Sequence, residues 1–186
     1  MSTLRIFIAI ELPAVIRTAL SDLQQQLRPL GRGVSWTRPE GIHLTLKFLG
    51  DVESGRIEAI AQAVERACHG TAAFGMTVAG VGGFPNLTRP RVLWVGIEES
   101  TGRLKTIQAQ IETELSALGY PREQRRFSPH LTLGRVKSPD TLQPLCAEMQ
   151  KRGFAPMPFA AGSIVIMRSE LKPDGALYTP LKRIEL

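Results

Sequence analysis

The tetrapeptide His-Leu-Thr-Leu is spelled twice, at residues 43–46 and again at 130–133. Histidine is scarce, with 3 in 186 residues, so a chance match of the three residues after two of them has odds on the order of a few in a thousand. An internal repeat constrains a fold strongly, because each copy must find an equivalent place in it. Each copy also has the same setting, a strand signal followed by a helix signal. Two such units predict an α+β fold of two pseudo-symmetric lobes, each an antiparallel sheet with helices, meeting at a central cleft lined by the two His-x-Thr motifs. The length and the 43% hydrophobic content suffice for a sizeable core. No linker interrupts the pattern, so residues 1–186 are expected to form a single bilobal domain.

Periodicity supplies the other elements. The apolar run from Ile6 to Ile10, closed by Glu11 and Pro13, is too short for a signal-peptide core or a membrane span and reads as a buried strand. Val15, Leu20, Leu23 and Leu27 predict a helix that begins at Pro13 and stops at Pro29 and Gly31. "VSW" and "IHLTLKFLG" read as strands. Ile57, Ile60, Ala61 and Val64 predict a helix over residues 54–68 with Gly70 beyond its end. Strands follow at "GMTVAGVG" and "RVLWVGI". The stripe Leu104, Ile107, Ile111, Leu115 and Leu118 predicts a helix over residues 102–118, ended by Gly119. A weaker helix over residues 140–152, interrupted by Pro144, is expected after the second motif. "AGSIVIMRSEL" and "ALYTPLKRI" then read as a closing strand pair joined by the turn "KPDG".

The net charge of +6 favours an anionic partner, nucleic acid or a phosphorylated small molecule. It is concentrated in "TRPR" (residues 88–91) and in "PREQRRFSPH" (residues 121–130), the latter running into the second motif. Cys68 and Cys146 are too few for a disulfide framework and form no CxxC pair, which predicts two buried small hydrophobes in a reducing, cytoplasmic setting. A zinc site would need HxH, HExxH or paired CxxC, and none occurs. The sequence also lacks a P-loop and a GxSxG elbow, and "AGVGG" lacks the third glycine of a dinucleotide fingerprint. No metal and no cofactor is implied. His69 sits at a predicted helix end and reads as a surface residue facing the dipole.

On a strand, His43 and Thr45 share one face and Leu44 and Leu46 the other, and the same holds for His130 and Thr132. Each motif thus anchors itself in a core and presents an imidazole beside a hydroxyl. Two such pairs suit a bracketed phosphate: one histidine activates the attacking oxygen, the other protonates the leaving oxygen, and the threonines hold non-bridging oxygens. Strict alternation carries Lys47 onto the His43 face and Phe48 into the core, so no aromatic platform is visible. It also turns Arg135 to the leucine face, from which a strand end or twist would be needed to reach the cleft.

The chain resembles the RNA 2',3'-cyclic phosphodiesterases of the two-histidine phosphoesterase superfamily, the LigT-like or ThpR family. The resemblance is carried by "RIFIAIELP", "HLTLKFLGDV", "GGFPNLTRPRVLWVGI" and "SPHLTLGRV", and it spans nearly the whole chain. It implies metal-independent opening of 2',3'-cyclic phosphates at RNA ends, or in small cyclic nucleotides, to 2'-phosphomonoesters. It further implies His43 as proton donor, His130 as proton acceptor, and Thr45, Thr132 and Arg135 as substrate-binding residues. A monomer without a membrane partner is expected. Reversible 2'-5' RNA ligation would use the same histidines, and an RNA-end-binding module without catalysis would use the same grip.

Overall fold

The computed structural model describes residues 2–138, 142–173 and 175–186. In chain order its elements are β1 (Thr3–Ile10), α1 (Ala14–Leu27), β2 (Val34–Trp36), β3 (Leu44–Glu53), α2 (Ile57–Cys68), β4 (Phe74–Phe84), β5 (Val92–Glu98), α3 (Arg103–Ala117), β6 (His130–Val136), α4 (Gln143–Arg152), β7 (Met157–Ala161), β8 (Ser163–Lys172) and β9 (Gly175–Glu185). All strand pairs are antiparallel, in the order β7-β4-β5-β6-β3-β1-β8-β9, with β2 on β6.

Outward from its middle, this sheet is two matching halves, β3-β1-β8-β9 and β6-β5-β4-β7. They join through one residue pair, Leu44 opposite Leu131, because β2 takes over the edge of β6 from Gly134 onward. Both leucines are fully buried, and truncating either to alanine costs about 2–5 kcal/mol. The two expected lobes are therefore halves of a curled, continuous sheet. Their helices also cross: α1 lies beside α4, which packs on β4, while α3 lies beside α2 and β3.

The helices cover one face only. Ile16, Leu20 and Leu23 of α1, Ile60 and Val64 of α2, Ile107 and Ile111 of α3, and Leu145 and Met149 of α4 join Ile6, Ile8 and Ile10 of β1 in one core. The alternate residues Phe7 and Ala9 pack on the other face with Val165, Met167 and Tyr178. The unbroken apolar run of β1 is thus a strand covered on both faces.

Several expectations shift. Val15 is 65% exposed and Ile16 takes its place in the core. The helix expected from residue 54 opens with a 3-10 turn over Ser54–Arg56. Pro144 lies in the first turn of α4, where a missing N–H is harmless, and so begins that helix without interrupting it. Residues 140–141 of that expected helix, and Asp174 of the closing turn, lie outside the described residues. Strand β7 was not anticipated: "MPFAA" carries a proline that only a sheet edge accepts. Both cysteines are free and buried, and burial pushes the Cys68 thiol up to about 11. No described helix is long and apolar enough to cross a membrane.

Candidate active site

The single Leu44–Leu131 pair decides how the two motifs meet. Extending its antiparallel register by one residue each way sets His43 opposite Thr132 and Thr45 opposite His130. With the leucines buried in the helix-covered core, all four polar side chains fall on the sheet's other, open face. The quartet is crossed, each imidazole beside the hydroxyl of the other motif.

Both imidazoles are held alike. Nδ1 of His43 donates to the Gly41 carbonyl at 2.7 Å, and Nδ1 of His130 donates to the Ser128 carbonyl at 2.7 Å. A carbonyl can only accept, so Nδ1 carries the hydrogen in each ring, and each Nε2 is left to take or give a proton. The rings are walled by aromatics. Phe7 stacks on His43 at 4.6 Å between centroids, and Tyr178 meets it edge-on at 5.0 Å. Phe84 meets His130 edge-on at 4.8 Å, with Trp94 beyond at 6.5 Å. Glycine makes room for the Trp94 wall: a Cβ on Gly82 would lie 2.2 Å from that indole.

Burial lowers both histidines. His43 falls to about 4, with the Gly41 carbonyl and the charge of Glu11 partly opposing the burial. His130 is lowered by burial, opposed by the Ser128 carbonyl and reinforced by the Arg135 charge. Burial thus favours the neutral form of both rings.

Two β-bulges overturn the strict alternation read from the sequence. In the ladder of β1 with β3, Ala9 faces Thr45 but Ile8 faces Lys47, so Leu46 is the extra residue and Phe48 falls opposite Phe7; a second slip, beyond Phe48, then sets Gly50 opposite Ile6. In the ladder of β5 with β6, Trp94 faces Thr132 and Leu93 faces Gly134, so Leu133 is the extra residue and Arg135 falls opposite Val92. A bulge seats two neighbouring residues against one and so reverses the alternation beyond it. Arg135 thereby joins the Thr132 face, and its charge reaches His130 and Tyr178. Phe48, expected in the core, is 63% exposed on the Thr45 face, 5.7 Å from Phe7.

Lys47, expected beside His43, goes inward. It is 5% exposed, with Nζ 2.5 Å from Glu112 Oε2 and 2.8 Å from the Pro121 carbonyl. His69 is exposed at the end of α2, away from the quartet. The structure thus brings His43, Thr45, His130, Thr132 and Arg135 to one face. It adds Phe7, Phe48, Phe84, Trp94 and Tyr178, which the sequence reading did not assign. For Phe7, Phe84, Trp94 and Tyr178 the only signal was the missing polar alternation in β1 and the aromatic residues within "GGFPNLTRPRVLWVGI" and "ALYTPLKRI", while strict alternation puts Phe48 in the core.

Known proteins fit this arrangement. The family described as LigT like phosphoesterase matches twice, over residues 10–94 and 95–178. The RNA 2',3'-cyclic phosphodiesterase of Thermotoga maritima is 36% identical over 179 residues, covering 96% of this chain and 93% of that protein. Its counterpart from Methanothermobacter thermautotrophicus is 34% identical over 185 residues, covering 98% of each. Among solved structures, E. coli LigT complexed with 3'-AMP superimposes with a TM-score of 0.82 at 26% identity, covering 100% of this chain and 99% of that one. The protein TT0787 of Thermus thermophilus gives a TM-score of 0.77 at 31% identity, with 98% and 97% covered. With two matches that between them span the chain from its first strand into its last, the protein belongs to the LigT-like phosphoesterase family.

Proposed function

We propose that this protein opens 2',3'-cyclic phosphates, at RNA ends and in small cyclic nucleotides, to 2'-phosphomonoesters by proton transfer between His43 and His130. The crossed quartet carries the reading: two imidazoles with engaged Nδ1 atoms and two hydroxyls share one open face. A cyclic phosphodiester is a monoanion with two non-bridging oxygens. The Thr45 and Thr132 hydroxyls and the Arg135 guanidinium donate hydrogen bonds to them. Nε2 of neutral His130 takes a proton from water as the water oxygen bonds to phosphorus and the bond to O3' breaks. Protonated His43 gives its Nε2 proton to O3'. The phosphate stays on O2'.

Neighbouring charge suits this division. Glu11 raises His43 toward its protonated form, while Arg135 lowers His130 toward its neutral form. Burial lowers both, so the bound phosphate anion must lift His43 again before it can act as the acid. The exposed ring of Phe48 offers a stacking surface for the terminal base.

The test is incubation of a short RNA ending in a 2',3'-cyclic phosphate, in excess chelator, with wild-type, His43→Ala and His130→Ala proteins. Chelator-resistant formation of the 2'-phosphate, lost in both variants, is expected. Turnover surviving either substitution would overturn the reading. Tight binding without turnover would instead assign an RNA-end-binding module, and a joined 2'-5' product would assign ligation.

A further inference from the structure

The two bulges that bring Arg135 and Phe48 to the open face are each touched from below by a glutamine, and the touch is crosswise. Gln24 lies on α1, the helix between β1 and β3, yet its Nε2 donates to the carbonyl of Leu133, the extra residue of the β6 bulge, at 2.8 Å. The same nitrogen donates to the Thr37 carbonyl at 2.8 Å. Gln108 lies on α3, the helix between β5 and β6, and its Nε2 donates to the carbonyl of Leu46, the extra residue of the first β3 bulge, at 3.4 Å. Gln108 also donates to Glu112 Oε1 at 3.2 Å, and Glu112 holds Lys47, the residue after that bulge.

A bulge leaves a backbone carbonyl outside the regular ladder, and a buried carbonyl needs a donor. Gln24 supplies one at a cost. It is 1% exposed, and its Oε1 has no partner among the described residues. The amide cannot be reversed to relieve this, because both its neighbours are carbonyls and need the nitrogen. Its one nitrogen ties two backbone carbonyls, those of Leu133 and Thr37, to α1.

We propose that Gln24 and Gln108 form a reciprocal brace, each crossover helix fixing the bulge of the opposite motif strand, and that Gln24 is thereby the positioning residue for Arg135. The inference rests on the functional reading for what Arg135 does, and on geometry alone for how Arg135 is held. The Leu133 carbonyl keeps a second donor, the Thr37 N–H at 2.9 Å, so loss of Gln24 leaves it paired, while the Thr37 carbonyl loses the donor that Gln24 gave it.

The test reads Arg135 through His130. Arg135 is the charge acting on that ring; its other neighbours, Phe84 on β4 and Trp94 on β5, carry none. The His130 Hε1 signal is titrated by NMR in wild-type, Gln24→Leu, Arg135→Ala and doubly substituted proteins, with Gln24→Met as a second, more flexible apolar replacement. The His130 pKa should rise in Gln24→Leu and likewise when Arg135→Ala removes the charge, and the double variant should rise no further than Arg135→Ala alone. Gln108→Leu should leave it in place. An unmoved His130 in Gln24→Leu, additive shifts, an equal response to Gln108→Leu, or unfolding of both Gln24 variants would each overturn the brace. The titration needs no turnover, so an inactive wild type would sink the functional reading and leave the brace to be decided by NMR.

Discussion

The two motif strands carry the same four residues, the same hydrogen bond from Nδ1 to a carbonyl two residues back, and a bulge at the same leucine. Beyond the bulge they part: β3 presents Phe48 and β6 presents Arg135, with Lys47 and Gly134 turned inward at the matching step. The histidines part with them. His43 is stacked on Phe7 and feels the charge of Glu11, whereas His130 stands in the field of Arg135. Like groups with unlike neighbours are the usual basis on which a site can divide acid from base. Burial lowers both imidazoles, and the charges beside them differ in sign, which is the asymmetry the proposed division of roles would draw on.

The comparison breaks most visibly at the leaving group. His43→Ala and His130→Ala should each lower kcat by about a thousandfold, within the range of general acid–base effects. A substrate with sulfur in place of O3' separates them, because a thiolate, with a pKa near 8.5 in its acid, leaves without a proton. His43→Ala should then recover to within about tenfold of wild type on the same substrate while His130→Ala stays inactive. Rescue of His130→Ala alone would reverse the roles, and equal rescue would show that they are not divided.

Proton supply gives the next effect. The proposed reaction needs one imidazole charged and the other neutral, and in the free protein burial lowers both pKa values, His43 to about 4. The singly protonated pair is therefore most populated below the ordinary histidine range, and above the higher apparent pKa it falls tenfold per pH unit. kcat/KM should thus decline by about a hundredfold between pH 7 and pH 9. Arg135→Ala removes a charge that lowers His130 and should move this alkaline limb upward. Steady-state kinetics across pH 4–9 checks both, and a kcat/KM that climbs toward pH 9 would contradict the shared proton.

Much of this was legible in the residues. The duplicated His-Leu-Thr-Leu located the quartet, because two leucines can be buried on one face only by turning His and Thr to the other. Helices with a clean stripe, such as Ile60, Ala61 and Val64 of α2, needed no tertiary information. What alternation could not deliver was the bulge. A strand with one extra residue spells like a strand without it, so alternation turned Lys47, Phe48 and Arg135 to the wrong faces, and only the family resemblance pointed Arg135 toward the site. The irregularity is local to the ladder but invisible in the motif: Leu46 and Leu133 are skipped by their partners on β1 and β5, and their carbonyls accept from donors on α3 and α1. The aromatic wall was hidden for a related reason. Phe7 lies in an apolar run whose two faces look alike until the sheet shows that one of them is the site.

The smallest effect separates what the two bulges present. On the proposed reading the guanidinium acts on the phosphate, which every substrate shares, whereas the phenyl ring acts only where there is a base to stack. Phe48→Ala should raise KM for a nucleoside 2',3'-cyclic phosphate by about tenfold, in line with stacking energies of ~1–3 kcal/mol per base. For ribose 2',3'-cyclic phosphate, which has no base, it should change KM by less than about twofold. Arg135→Ala should weaken both substrates alike. The ring is 63% exposed and holds no core, so lost stability would not imitate this result. If Phe48→Ala weakened the base-free substrate as much, the ring would be shaping the phosphate site, and the two bulges would be doing one job from two sides.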